Sequence, residues 1–292
     1  MRRMVTVVAP LALALLMGCG GGLGGYLISN EQEVQMGQGV DQEIRKEYKL
    51  AAPDDPITTW ASGLVQPLVA GSAGFRDPNQ FGGFKVHVIL DDELVNAFAA
   101  PGGYTYISTG LILQAANCGE IAGVMGHELA HVTQRHGVKA IEGAYAVSII
   151  SGWFLGDGLA SDAAQTIYAF LSNTQFSQEH EAEADAVGYQ IAFNGGYNPY
   201  GLVDFFSKLL ALSGGSAPPQ FLSSHPATQD RINDVTKAIE ARYGDTVNPG
   251  TTQTYECVQT NMTLAQAQAR ISGGQVVQDP NSGLGTTEAA PQ

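Results

Sequence analysis

The chain has 292 residues, 44% of them hydrophobic and 14% charged, a composition that builds a globular core and excludes a disordered polymer. Lys and Arg total 14 against 28 Asp and Glu, leaving a formal net charge of −14. With so few basic side chains to gather into a patch, nucleic acid is excluded as the main partner.

Arg2 and Arg3 precede an apolar run from Val5 to Met17, broken only by Thr6 and Pro10. The run is too short to span a bilayer as a stable helix and reads as a cleaved export signal over residues 1–18. Leu16-Met17-Gly18-Cys19 closes it and resembles the lipobox of bacterial lipoproteins, with Met17 an unusual residue at its position. The resemblance makes Cys19 the lipidated first residue of the mature chain, with no Asp after it, which in Gram-negative lipoproteins favours the outer membrane. Gly20 to Gly25 lies in a glycine-rich tether over residues 19–30. Cys118 and Cys257 remain; in an oxidising compartment they could pair, but their spacing does not decide it.

Val34, Gly37, Val40, Ile44 and Tyr48 recur at helical spacing, so Glu31 to Leu50 is expected to be a helix and Ile57 to Val69 a second. Ala70 to Gly83 has loop composition. Lys85 to Leu90 is the clearest strand, and Asn96–Ala99 and Tyr104–Ile107 are two more, hinged at Pro101-Gly102-Gly103. Glu120 to Arg135 then reads as a long helix ended by Gly137, followed by a glycine-punctuated apolar stretch from Ala140 to Leu159. Further helices are expected at Asp162–Leu171, Ser177–Phe193, Pro199–Leu212 and Pro226–Tyr243. Beyond Gly244 the composition turns to Thr, Gln, Gly and Asn, a loosely attached low-complexity tail over 244–292 with one short helix near Leu264–Ile271. There are no internal repeats.

His127-Glu128-Leu129-Ala130-His131 is the most informative segment. Two histidines four apart on a helix lie ~40° apart around its axis, so both imidazoles reach one metal ion. The Glu beside the first His can face the position where water binds. A catalytic zinc needs a third protein ligand, and Glu179-His180-Glu181-Ala182-Glu183-Ala184-Asp185 supplies candidates. Glu181 and Asp185 share one helical face, so one carboxylate could bind zinc while the other accepts the free ring N–H of a ligating His. Glu179, His180 and Glu183 remain rivals by spacing. His136 would be rotated ~140° from His131 on a continuous helix and is not expected to join the metal. His87 falls on a strand and reads as a packed or surface residue.

HELAH, then SQEHEAEAD on a later helix, then SSHPATQDRI, with Asn96 to Gly103 ahead of them, resembles the HtpX/CAAX-prenyl-protease family of gluzincin metallopeptidases. The likeness covers about residues 31 to 243 and is greatest to the periplasmic BepA- and LoiP-like lipoprotein branch. It implies an α+β domain over 31–243, mostly helical, with a small mixed β-sheet and an HExxH active-site helix. It implies one Zn2+ per chain held by His127, His131 and Glu181, with Asp185 behind a ligand. Glu128 becomes the general base that takes a proton from zinc-bound water. In BepA-like proteins the residue matching His225 occupies the open zinc position and holds the enzyme latent; oxyanion stabilisation and a helix-start structural role are its competing roles. Arg231 would bond the acidic helix face or orient His225. Ala97, Phe98, Ala99, Gly102, Gly103 and Tyr104 form the expected substrate strand, since zincin substrates bind extended and add a strand.

The expected function is a zinc metalloendopeptidase of misfolded or misassembled envelope proteins, lipid-anchored at the periplasmic face of the outer membrane. Its partners are polypeptide substrates, the membrane and the outer-membrane assembly machinery. The rival is a periplasmic chaperone or assembly factor whose metal site is plugged by His225.

Overall fold

The computed structural model describes residues 27–154, 159–212, 219–226, 228–244, 247 and 254–283. The export segment 1–18, Cys19 and most of the tether expected over 19–30 lie outside the described residues. Three strands, β1 (Lys85–Ile89), β2 (Ala97–Ala100) and β3 (Tyr104–Ser108), form a mixed sheet in the order β1-β3-β2. β1 runs parallel to β3 and β2 antiparallel to it. The hinge between β2 and β3 depends on Gly102 and Gly103, at φ 71° and 80°. A Cβ on Gly103 would also stand 2.3 Å from the Gly83 carbonyl oxygen, so the tight turn requires glycine twice over.

Helices cover both faces of this sheet, which is the α+β architecture expected. On one face pack α1 (Asn30–Glu47), α5 (His136–Ala144) and α7 (Ser161–Asn173), burying Met36, Val40, Ile44, Ile141 and Ile167 against Ile89, Ala100 and Tyr106. On the other, α2 (Pro56–Ser72) and α4 (Cys118–Thr133) pack on the face of Val88, Ala97 and Ile107, and α8 (Gln178–Asn194) and α9 (Gly201–Leu212) pack in turn on α4. The short helix α3 (Thr109–Gln114) links β3 to α4, while α6 (Val147–Trp153) lies between α5 and α7. Four of the helices, α1, α2, α4 and α8, begin where the sequence supplies a cap. Ser29 and Gln32 form a capping box at α1, Asp55 caps α2 with Pro56 behind it, Asn117 caps α4, and Ser177 caps α8.

All sixteen residues of α4 are buried. Its glycines allow that: a Cβ on Gly126 would come 2.8 Å from the Gly188 carbonyl oxygen, and one on Gly188 would come 2.8 Å from Cα of His127. Backbone-to-backbone contact therefore seats α8 against the histidine end of α4.

Four sequence expectations are corrected. α4 ends at Thr133, because Arg135 takes a left-handed φ of 58° and turns the chain into α5 at His136. The Ala140–Leu159 stretch divides between α5 and α6 where it is described. The helix expected from Pro226 begins at Gln229 as α11 (Gln229–Tyr243), capped by Thr228, and a separate short helix that was not expected, α10 (Gln220–Ser224), precedes it with His225 as its C-cap. Residues 254–283 are not loosely attached. Cys257 forms a disulfide with Cys118, and α12 (Leu264–Ser272) buries Leu264, Ala267 and Ile271 in the core. The Leu50 N–H donates to Ser282 Oγ at 2.8 Å, and the Asp279 N–H donates to the Leu50 carbonyl at 2.7 Å. At the other end Ile28, the last part of the expected tether, is fully buried, and its N–H donates to Glu142. Among the described residues no helix is long and apolar enough to cross a membrane.

Candidate metal centre

α4 carries His127, Glu128 and His131 into the interior, where their exposures are 0, 1 and 3%. Capped by Ser177 and pressed on α4 through Gly188, α8 presents Glu181 and Asp185 to the same point. His225 arrives from the end of α10, and Arg231 from the first turn of α11.

Nε2 of His127 and Nε2 of His131 are 3.0 Å apart. Glu181 stands 3.6 Å from the first through Oε2 and 3.5 Å from the second through Oε1. His225 Nδ1 is 2.9 Å from Glu181 Oε1 and 3.3 Å from His127 Nε2, and its Nε2 is 3.4 Å from Glu128 Oε1. Ligand-capable atoms of His127, His131, Glu181 and His225 all lie within 4.8 Å of one another. Behind them, Asp185 Oδ1 is 3.0 Å from His127 Nδ1. Arg231 donates to both oxygens of Asp185 and lies 2.8 Å from Glu181 Oε2. Arg231 thus bonds the acidic face of α8. The rivals Glu179, His180 and Glu183 stay outside the cluster.

The Nε2 atoms of His127 and His131 meet either through a ring N–H shared between them or through a metal that takes both lone pairs. Each Nδ1 faces a polar partner behind it, Asp185 for His127 and His136 for His131, and with the ring protons on those Nδ1 atoms both Nε2 lone pairs converge beside a carboxylate. Imidazole and carboxylate in this number fit zinc, and the donor set passes the chemical test for it.

Electrostatics follow burial and neighbours. Burial raises the Glu128 carboxyl above its ordinary value, against the opposing pull of His225 and His127. Burial would also raise Glu181, but His225 and His131 outweigh it and hold that carboxyl far below the usual range. Asp185 is depressed in the same way: burial opposes, and bonds from His127 and Arg231 prevail. Burial pushes His131 well down, whereas Glu128 and Glu181 overcome burial at His225 and raise it.

Glu128 and His225 line a cleft walled by Val40 and Ile44 of α1, by Tyr48 at its end, by Phe98, and by Leu171 and Phe176. The Ala99 N–H faces the Glu128 carboxylate. β2 is an edge strand of the sheet; of the residues expected in the substrate strand, Phe98 and Ala99 line this cleft, Ala97 is buried in the core, and Gly102, Gly103 and Tyr104 do not line it. The glycines turn against α1 and Gly83, and Tyr104 belongs to the central strand, with β1 on one side and β2 on the other.

Sequence reasoning missed His136. Its Nδ1 lies 2.9 Å from His131 Nδ1 and its Nε2 lies 3.0 Å from Glu183 Oε2. Extrapolating one helix past Arg135 turned it away; the only local signal was the Arg-His-Gly sequence where α4 stops. His87, on β1, packs over Tyr104 and Tyr106, and burial lowers it to about 4.

The family model described as peptidase family M48 matches residues 60–239. The chain is 32% identical over 224 residues to the beta-barrel assembly-enhancing protease of Escherichia coli (strain K12), covering 72% of this chain and 44% of that protein. It is 31% identical over 222 residues to metalloprotease LoiP of the same organism, covering 74% and 84%. Mitochondrial metalloendopeptidase OMA1 of Schizosaccharomyces pombe is 28% identical over 215 residues, covering 71% and 61%. The chain therefore spans less than half the length of the assembly-enhancing protease that it matches.

Proposed function

The chain belongs to peptidase family M48, and on that premise we propose that it is a zinc-dependent endopeptidase of envelope proteins. One observation carries the reading: a buried His127–His131–Glu181 set, with Glu128 beside it, at the cleft bordered by the free edge of β2. His127, His131 and Glu181 would hold the metal. Zinc bound there supplies Lewis acidity that polarises a scissile carbonyl and acidifies a water.

The remaining work falls to side chains of this protein. An extended polypeptide adds to β2 through main-chain hydrogen bonds, which is tolerant of sequence and suits unfolded or misassembled substrates. Glu128, made more basic by burial, takes the proton of the attacking water and passes it to the departing amine. Asp185, clamped by Arg231, accepts the Nδ1–H of His127 and turns its Nε2 toward the metal. Cys19 would tether the domain to the periplasmic face of the outer membrane. Assembly machinery there, as the name of the assembly-enhancing relative implies for that protein, would supply partners.

His225 supports a second state. It is 2% exposed, touches Glu181 and faces both His127 and Glu128, which supports reading it as a competitor of substrate and water at the metal. This position favours a latency plug over a helix-start role, and a permanently plugged site would make the protein a chaperone. The test is casein cleavage with metal quantified. The peptidase reading requires one zinc per chain, loss of cleavage on chelation and recovery on adding zinc. Zinc bound one to one, aggregation suppressed and no cleavage would favour the chaperone.

A further inference from the structure

The two histidines of α4 are backed by different chemistry. His127 has a carboxylate behind it. Behind His131 stands another imidazole, with Nδ1 of His136 2.9 Å from Nδ1 of His131. A hydrogen bond between two ring nitrogens needs one N–H and one lone pair. His136 Nε2 lies 3.0 Å from Glu183 Oε2, and an ionised carboxylate only accepts, so the His136 proton belongs on Nε2. Its Nδ1 is then an acceptor. His131 must carry its own proton on Nδ1, which leaves its Nε2 lone pair beside His127 and Glu181.

Resting on the metal-centre reading above, we infer that His136 is a positioning residue: it accepts the Nδ1–H of His131 and thereby fixes the tautomer and ring angle that present Nε2 to the metal, with Glu183 fixing His136 in turn. The surroundings hold this chain of contacts in place. His136 is fully buried and stacks on His180 with ring centroids 4.4 Å apart and planes at 17°. Lys139 Nζ, 3.6 Å from Glu183, favours its carboxylate form. The other face of His131 meets Phe176 at 4.2 Å between centroids. The turn at Arg135 brings His136 back against His131. That left-handed conformation is strained in a non-glycine residue, and Arg135 is pinned there by Glu33 and by the Ile28 carbonyl.

Zinc affinity of the full chain, measured by chelator competition well below the unfolding temperature, tests this without reference to turnover. His136→Leu should weaken binding about 10–100-fold, as losses behind a ligating histidine do, and His136→Asn, whose amide oxygen can take the Nδ1 position, should recover most of the loss. A residue that only fills space would lower the melting temperature and leave zinc affinity at the wild-type value, and that result overturns the inference. Long-range 1H–15N spectra of the histidine-labelled wild-type zinc form decide the matter even if His136→Leu does not fold. They should show His136 protonated at Nε2 and bare at Nδ1; a proton on His136 Nδ1 overturns it. If wild type itself takes up no zinc, the metal-centre reading has failed. If wild type binds one zinc and His136→Leu binds it as tightly, only the role of His136 has.

Discussion

Arg231→Met is the perturbation whose size the structure fixes most closely. Arg231 reaches from α11 to both acids of α8, with Nε and Nη2 each 2.8 Å from Asp185 and Nη1 2.8 Å from Glu181. Its guanidinium also lies 4.8 Å over the Phe206 ring. Met keeps the bulk and apolar contact but strips a cation from two carboxylates whose side chains are only 4 and 5% exposed. Breaking a buried pair from one side costs ~3–5 kcal/mol, and since the histidines remain as partners the lower end applies, about 3 kcal/mol. At ~2–4 °C per kcal/mol for a chain of this size, the metal-free melting temperature should fall by about 6–12 °C. Asp185 also loses what holds it against His127, so zinc affinity should drop about 10–100-fold. Calorimetry of the metal-free protein and chelator competition measure the two effects separately. Adding Asp185→Asn removes the orphaned charge and should return part of the melting temperature, but none of the zinc affinity. A single variant that melts with wild type and binds zinc equally well would refute the reasoning.

Other consequences can be checked in parallel. His225→Ala should raise cleavage by about tenfold or more if the plugged state holds over nine-tenths of the molecules; a fall in activity would instead give His225 the oxyanion role. Cys118→Ser with Cys257→Ser opens a bridge between residues 139 apart and should cost about 2–4 kcal/mol, with proteolysis advancing into residues 254–283. Unchanged melting on reduction would contradict that. Asp55 caps α2 and pairs with Arg270 of α12; burial works against its charge, but those bonds hold the carboxyl below its ordinary value. Its contribution is therefore complete above the ordinary carboxylate range and lost as pH falls through its depressed value. Asp55→Ala should cost about 2 kcal/mol near neutrality, with the gap to wild type closing as pH falls below the ordinary carboxylate range. A gap independent of pH would show that the charge is not what matters.

Much of the centre was legible because its chemistry is local. His127, Glu128 and His131 declare themselves by helical spacing; Glu181 and Asp185 share a face four residues apart, but spacing left Glu179, His180 and Glu183 as rivals and only the family resemblance chose between them. Where the chain bends or returns from afar, periodicity failed. His136 looked misdirected because a helix wheel assumes one continuous helix, and Arg135 at φ 58° breaks it. The C-terminal segment looked loose because its anchors are few in sequence: a cysteine, three apolar positions of α12, and polar groups of Asp279 and Ser282 bonded to the strand-like backbone at Leu50. Composition counts apolar mass and does not see such bonds. Tyr104 was misread for a related reason, since alternation marks a strand but does not tell a central strand from an edge.

The most direct measurement is casein cleavage by the full chain against Glu128→Gln, with zinc quantified in both. The proposed mechanism predicts that Glu128→Gln keeps one zinc per chain and its melting temperature while cleavage falls by about a thousandfold or more, the loss of a positioned general base together with its charge. Equal cleavage by both proteins, each with zinc bound, would contradict it.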